Sequence, residues 1–154
     1  MQIREKKVSD SATTQVQIIM PEHINGANRL FGGRLVEWID VVAGVVARRH
    51  SNCDITTVSI DNLHFKAPAK INDTMVLSGR IVRVGNTSME VRVDTYVEHL
   101  DGFRELVNTA YLTMVALDVL GRPTQVPRLI LETEEQKEEC KRAEERISRR
   151  KNEK

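Results

Sequence analysis

The chain has 154 residues, which is the usual size of one domain with a core of its own. Charged residues make up 29% of the sequence and hydrophobic residues 40%, a balance typical of soluble globular proteins and not of disordered chains. Lysine and arginine number 23 against 22 aspartates and glutamates, so there is no basic excess of the kind that indicates nucleic-acid binding.

Membrane and secreted classes are also disfavoured. The longest apolar stretch is Val41–Ala47, far shorter than the roughly 18–20 residues that span a bilayer. The first residues, MQIREKKVSDS, are charged and contain no apolar signal segment. Cys53 and Cys140 form no disulfide framework, so we read them as reduced thiols. We therefore expect a cytoplasmic protein that does not associate with membranes.

The first third of the chain predicts a strand, a loop and a long helix. Residues 1–11 form a solvated, flexible lead, and the β-branched run Ala12–Met20 predicts a strand that stops at Pro21. A loop rich in turn-forming residues follows. Gly33–His50 is predicted to be a helix, since four apolar residues recur at helical spacing on one face: Leu35, Ile39, Val42 and Val46.

After this helix the hydrophobic period changes from 3.6 to 2, which predicts strands. Gly85-Asn86 and Asp101-Gly102 provide turn signals for two hairpins. The strands are expected at Ile55–Phe65, Thr74–Val84, Thr87–Glu98 and Glu105–Leu117.

The tail from Glu132 predicts a charged helix with acidic residues at its start and basic residues at its end, as the helix dipole favours. We therefore expect a lead over residues 1–11, one domain over residues 12–131 and a tail helix over residues 132–154. The order of elements predicts an α+β fold in which one long helix packs against an antiparallel sheet of about five strands.

Common catalytic motifs are absent, and the four histidines show no metal-ligand spacing, so no metal site is predicted. Asp40 is the residue that packing explains least well. A turn of 100° per residue places it beside the apolar face of the predicted helix, where it would be partly buried. Two explanations stay open, a boundary carboxylate that reaches solvent and a functional acid.

Gly32 and Gly33 stand at the predicted helix start, where backbone N–H groups without side chains beside them can donate to a docked group. A tight turn with close packing would explain the pair equally well.

One segment resembles a known family. NGANRLFGGRLVEWID (Asn25–Asp40), followed by TTVSIDNLHFKAPAKIND and VGNTSMEV, resembles the hotdog-fold acyl-CoA thioesterases of the cytosolic acyl-CoA hydrolase type. The resemblance covers roughly residues 10–120. It implies a hotdog fold, in which a curved five-stranded antiparallel sheet wraps the long helix. It also implies a homodimer that joins edge to edge into one continuous sheet, assembled further into a trimer of dimers.

The resemblance implies an acyl-CoA hydrolase that releases a free fatty acid and coenzyme A. Asp40 would be the general base or the nucleophile, and Asn25 would come from the opposite subunit. The N–H groups of Gly32 and Gly33 would polarise the thioester carbonyl. No cofactor is implied, because coenzyme A enters as part of the substrate.

The resemblance further implies where coenzyme A lies. Its pantetheine arm would follow one strand, the hairpin turn after Asn86 would meet the nucleotide, and a tail arginine would meet a phosphate. The residues concerned are Val58, Ser59 and Ile60 on the strand, Thr87, Ser88 and Met89 at the turn, and Arg146 in the tail. From charge alone Lys66, Arg80 and Arg83 are equally good phosphate partners.

Two other functions remain open at this point. A non-catalytic module could bind a CoA ligand, or assemble, on the same fold, and it would bind CoA without turnover. A hotdog dehydratase would need a catalytic histidine on the helix or its loop, where His23 is the one candidate.

Overall fold

The computed structural model describes residues 4–61 and 63–152. Its elements in chain order are β1 (Glu5–Lys7), α1 (Val8–Ser11), β2 (Thr13–Ile18), a 3-10 turn (Pro21–His23), α2 (Gly32–Ser51), β3 (Asp54–Asp61), β4 (Thr74–Val84), β5 (Ser88–Glu98), β6 (Arg104–Leu117), β7 (Arg128–Ile130) and α3 (Glu134–Asn152).

Five strands form one antiparallel sheet in the order β2-β4-β5-β6-β3, and the long helix α2 packs against it. This arrangement confirms the predicted α+β hotdog architecture. The strand predicted at Ile55–Phe65 ends earlier, at Asp61. The other main strands and the long helix begin and end within about two residues of the predicted bounds.

The core lies between α2 and the inner face of the sheet. The four apolar residues predicted to share one face of α2 are all 1% exposed or less. Full burial of such a side chain contributes about 1.5–3 kcal/mol. Gly79 on β4 allows the helix to approach closely, because a Cβ there would lie 2.7 Å from Val42 Cγ1. Asn52 caps the carboxyl end of the helix: its φ of 58° is left-handed, and its N–H donates to Arg48 O at 2.8 Å.

Residues 5–11 form β1 and α1, so the prediction of a flexible, solvated lead over residues 1–11 is corrected for these seven residues. β1 pairs in parallel with β7, and Val8 of α1 is buried. Lys6 Nζ donates to Arg49 O at 2.7 Å and to Asn52 Oδ1 at 2.6 Å. A cation is favourable at the carboxyl end of α2, where carbonyl groups lack helical partners. Residues 1–3 lie outside the described part of the chain.

The tail helix α3 lies on the outer face of the sheet. Its attachment combines a buried Ala143 with ion pairs that are largely shielded from water. Arg80 on β4 contacts Glu139 at 2.7 Å and Asp94 at 3.2 Å, and both carboxylates are less than a tenth exposed. Apolar contact and buried charge therefore act together in holding this charged helix to the sheet. Within residues 4–61 and 63–152, no helix has the length and apolar character needed to cross a membrane.

Candidate active site

Asp40 lies in the middle of α2 and is half-buried at the flank of the apolar face, as the helical periodicity predicted. Its Oδ1 accepts a hydrogen bond from Thr57 Oγ1 on β3 at 2.7 Å. Thr57 Oγ1 also lies 3.3 Å from Met114 Sδ on the neighbouring strand. The carboxylate is thus oriented by a hydroxyl donor on the sheet and keeps a second oxygen for other partners.

A β-bulge positions Thr57. The register between β3 and β6 shifts between Thr57 and Ser59, and Val58 is the extra residue. In a regular strand residues 57 and 59 would share one face. The bulge instead leaves Thr57 on the inner face beside Asp40 and turns Ser59 to the outer face, where Arg150 Nη1 donates to its hydroxyl at 3.4 Å.

Asn25 lies in the loop before α2, at the rim of a cavity of about 400 Å³. Its side chain is exposed, and Oδ1 accepts hydrogen bonds from the N–H groups of Ala27 at 2.9 Å and Arg29 at 3.3 Å. The side-chain NH2 group has no hydrogen-bond partner among the described residues. Asn25 therefore organises its own loop and still has a donor for a ligand. The remaining walls of this cavity are mostly apolar and include Leu30, Leu35, Phe65, Pro68 and Val107.

The two predicted glycines begin α2. Phe31 precedes them and offers no side-chain cap, and its carbonyl accepts from the N–H groups of Arg34 and Leu35. The N–H groups of Gly32 and Gly33 have no acceptor in the described part of the chain, as expected of first-turn donors. Gly32 lines the cavity with Asn25, whereas Gly33 does not.

Asp40 does not line that cavity. It follows Gly32 by eight residues of continuous helix, which corresponds to about 12 Å along the axis. A carboxylate and N–H donors that far apart cannot act on the same carbonyl group. One subunit therefore brings Asn25 and Gly32 together but leaves Asp40 apart from them.

The residues predicted to hold coenzyme A fall in two places. Val58 is 60% exposed at the bulge of the edge strand. It is followed by Ser59 on the outer face and by Ile60, which packs against the core. Thr87 O accepts from the Ala116 N–H, and Ser88 and Met89 line a second cavity of about 620 Å³ beneath the end of α3. Met89 is fully buried.

Arg146, the predicted phosphate partner, already has partners within the fold. Its Nε lies 3.3 Å from Glu90 Oε1, and its guanidinium stacks 3.7 Å from the centre of the Tyr111 ring. Glu90 is 3% exposed on β5, and burial raises the pKa of its carboxyl. These contacts hold α3 to the sheet, so Arg146 has a structural part in the free protein.

His23 does not have the surroundings of a catalytic residue. Its Nδ1 accepts from the Met20 N–H at 2.9 Å, and its ring packs edge-on against Trp38. No group of three histidines, cysteines or carboxylates within residues 4–61 and 63–152 could hold a metal ion.

Sequence reasoning did not single out Thr57, Glu90 or Arg150. Thr57 could have been noticed as a polar residue that faces the core. That observation requires knowing which residues of the strand face inward. Glu90 is buried under the tail helix, and the position of that helix on the sheet could not be predicted from periodicity.

Comparison with known proteins identifies the family of this chain. The family model of the Thioesterase superfamily matches residues 27–101. An acyl-CoA thioester hydrolase of Bacillus subtilis, itself uncharacterized, is 40% identical over 146 residues, which cover 94% of this chain and 85% of the relative. The chain belongs to the hotdog Thioesterase superfamily and, within it, to the acyl-CoA thioester hydrolases.

Solved structures extend the likeness to the whole fold. A hexameric acyl-CoA thioesterase without ligand superposes with a TM-score of 0.90 at 35% identity and covers 98% of this chain and 97% of its own. An acyl-CoA hydrolase of Staphylococcus aureus, solved with butyryl coenzyme A and coenzyme A, gives 0.88 at 30% identity, covering 97% and 92%. Alanine variants of that enzyme replace an asparagine, an aspartate 15 residues later and a threonine 17 residues after the aspartate.

Proposed function

We propose that this enzyme hydrolyses acyl-CoA at a site shared by two subunits, with Asp40 of one subunit and Asn25 of the other. The observation that carries the proposal is the hydrogen bond of 2.7 Å from Thr57 to Asp40, because it orients a half-buried carboxylate that the core does not need. Because the family consists of acyl-CoA thioester hydrolases, thioester hydrolysis is the reaction in which this carboxylate would act.

The staphylococcal variants support the same three residues. Asn25, Asp40 and Thr57 are separated by 15 and 17 residues, which is the spacing of the asparagine, aspartate and threonine replaced in that enzyme. Two equal spacings, with the same residue type at all three positions, favour equivalent places in the two folds.

The separation of about 12 Å between Asp40 and Gly32 supports a second subunit at the site. β3 is an edge strand of the sheet, so its outer backbone groups are available for pairing with another copy. Phe31, Val41 and Val58 are each more than half exposed, although they are apolar. A homodimer would cover such residues and bring Asn25 of the partner subunit to Asp40. The hexameric relatives favour a trimer of such dimers.

The chemistry follows from the charges. Asp40 takes a proton from a water molecule as the water oxygen attacks the thioester carbon. The carbonyl oxygen becomes negative and is stabilised by the N–H groups of Gly32 and Gly33 in the subunit that provides Asn25, and the amide of that Asn25 holds the water or the oxyanion. Collapse breaks the carbon–sulfur bond, and the thiolate of coenzyme A leaves and takes up a proton. Direct attack by Asp40 to form a mixed anhydride uses the same groups.

The test is release of free thiol from acyl-CoA, measured over acyl chains from short to long. Asp40→Asn should lower kcat by about 10²–10⁴-fold, the usual contribution of a general base, while coenzyme A still raises the thermal stability. Glu37→Gln is the matched control, since Glu37 is an exposed carboxylate one turn earlier on the same helix. Full activity of Asp40→Asn would remove Asp40 from the catalytic role. Binding of coenzyme A without any turnover by the unmodified protein would favour the non-catalytic alternative.

A further inference from the structure

The cavity beside Asn25 carries charge as well as apolar surface. Its volume of about 400 Å³ is near the lower end of the roughly 300–1,000 Å³ range of small-molecule sites. Leu35 of α2 and Val107 of β6 lie on its walls and are each 1% exposed. Among the described residues that line the cavity, the charged ones are Arg29 and Lys66, and both are cations. Its size suits a short acyl chain, and its charge suits an anion.

Two neighbouring loops hold these cations at the rim of the cavity, where both residues are exposed. Arg29, in the loop before α2, pairs with Lys70, in the loop after β3, through an isolated antiparallel bridge. The Asn25 N–H donates to Arg29 O at 2.8 Å, and the Lys66 N–H donates to Val107 O at 2.8 Å. The backbone of both cations is therefore fixed before a ligand arrives, which lowers the entropy lost on binding.

Neither cation is neutralised by a carboxylate of its own subunit. In the part of the chain that the structure describes, Arg29 and Lys66 form no salt bridge, whereas Arg34 in the first turn of α2 pairs with Glu37 at 3.3 Å. The reaction proposed above uses neither cation. Two uncompensated positive charges beside apolar walls raise the local concentration of anions.

The position of the two cations favours an anion in the acyl part of the substrate. In the proposed reaction the Gly32 N–H stabilises the thioester carbonyl, and Gly32 lines the same cavity as Arg29 and Lys66. The whole pantetheine arm separates that carbonyl from the phosphates of coenzyme A. An anion that shares a small cavity with the carbonyl therefore belongs to the acyl chain.

We propose that the enzyme hydrolyses short dicarboxylic acyl-CoA esters, with Arg29 and Lys66 binding the distal carboxylate. The inference rests on the proposed function and names its substrate class. A guanidinium can hold a carboxylate through two parallel hydrogen bonds, and an ammonium adds a compact charge. The apolar walls cover the methylene groups between the thioester and the carboxylate. Lys66 thereby contacts a carboxylate instead of the phosphate that its charge alone also allowed.

The distal carboxylate distinguishes this substrate from a simple fatty acyl chain of equal length. A chain that ends in a methyl group gains apolar contact but leaves both cations to water. A carboxylate loses part of its hydration in the cavity, and that loss is offset where cations pair with it and donate hydrogen bonds. The dicarboxylic ester is therefore the better substrate of the two.

The test compares glutaryl-CoA with pentanoyl-CoA, whose acyl chains have the same number of carbons and differ at the far end. The quantity measured is the ratio of kcat/KM for glutaryl-CoA to kcat/KM for pentanoyl-CoA, from thiol release. We expect a ratio of about ten or more, the effect of one charge-assisted contact. Arg29→Gln and Lys66→Gln should each lower this ratio severalfold. Lys70→Gln is the matched control and should keep it, because Lys70 is an exposed cation in the same loop as Lys66 that does not line the cavity.

The ratio is independent of the folded fraction, because both substrates are measured on the same enzyme. A ratio of one or less for the unmodified enzyme would overturn the proposal. An unmodified ratio in the variant that carries both Arg29→Gln and Lys66→Gln would also overturn it, since an equal loss on both substrates indicates contact with the coenzyme A part.

If the unmodified protein hydrolyses neither ester, the proposed function fails and recognition of the carboxylate is still decided by calorimetry. Tighter binding of glutaryl-CoA than of pentanoyl-CoA, lost in Arg29→Gln, supports the carboxylate site. Equal binding of the two esters overturns it.

Discussion

Removal of the Thr57 hydroxyl tests the orientation of Asp40 without touching its charge. Thr57→Val keeps the shape of the side chain and deletes the donor that lies 2.7 Å from Asp40 Oδ1. A hydrogen bond to a charged group contributes about 1.5–3 kcal/mol. If this hydrogen bond stabilises the transition state, its loss should lower kcat by roughly 10–150-fold, since each 1.4 kcal/mol of activation free energy changes the rate tenfold.

The assay is thiol release at saturating acyl-CoA, with the free energy of unfolding measured in parallel. Thr57→Ser retains the hydroxyl and should keep most of the activity. Thr56→Ala replaces the exposed neighbour on β3 and should change neither kcat nor stability. A Thr57→Val enzyme with kcat within twofold of the unmodified enzyme would refute the reasoning. A loss of activity that simply followed a loss of folded protein would refute it as well.

Two further predictions concern stability. Gly79→Ala should lower the free energy of unfolding by about 1–3 kcal/mol in denaturant titration, because its Cβ would overlap Val42. Gly26→Ala, with no atom within 4 Å, should have little effect, and equal losses would contradict the close-packing explanation. His50 is buried with Nε2 donating to Pro127 O, and burial lowers its pKa below the ordinary 6.5. The unfolded chain therefore binds the extra proton first, and this group's contribution to stability falls as pH decreases below about 6.5, with a slope of up to about 1.4 kcal/mol per pH unit. His50→Gln should flatten that part of the stability profile, and an unchanged slope would count against His50 as its source.

Most of the fold could be predicted from the sequence, because the residues that hydrophobic periodicity places on one face are the residues that pack in the core. The four apolar residues predicted on one face of α2 are the ones that the sheet buries. The alternation of apolar and polar residues and the two short turns predicted the bounds of the central strands. Asp40 could be placed at the boundary of the core from helical geometry alone. The motif from Asn25 to Asp40 then indicated the family, which neither composition nor periodicity could do.

The parts that sequence reasoning missed depend on contacts between distant segments. β1 is only three residues long, which is too short for an alternation of polar and apolar residues to predict a strand. It forms by pairing with β7, which lies more than 100 residues later in the chain. The bulge at Val58 leaves no mark in the sequence, yet it determines which face Thr57 and Ser59 occupy. Glu90 is buried where Arg146 of α3 covers it. The predicted roles of the site residues, the pairing of subunits and the cytoplasmic location remain predictions.

The pairing of β1 with β7 has a consequence for anyone who wishes to shorten the protein. It ties the first described strand to the segment just before α3, so two segments that are distant in the sequence depend on each other for their hydrogen bonds. The stretch that matches the family model, residues 27–101, omits both β2 and β6, which are two of the five strands of the sheet. Excision along that boundary removes part of the sheet that covers the apolar side of α2, and an autonomous fragment has to extend from β1 through β7.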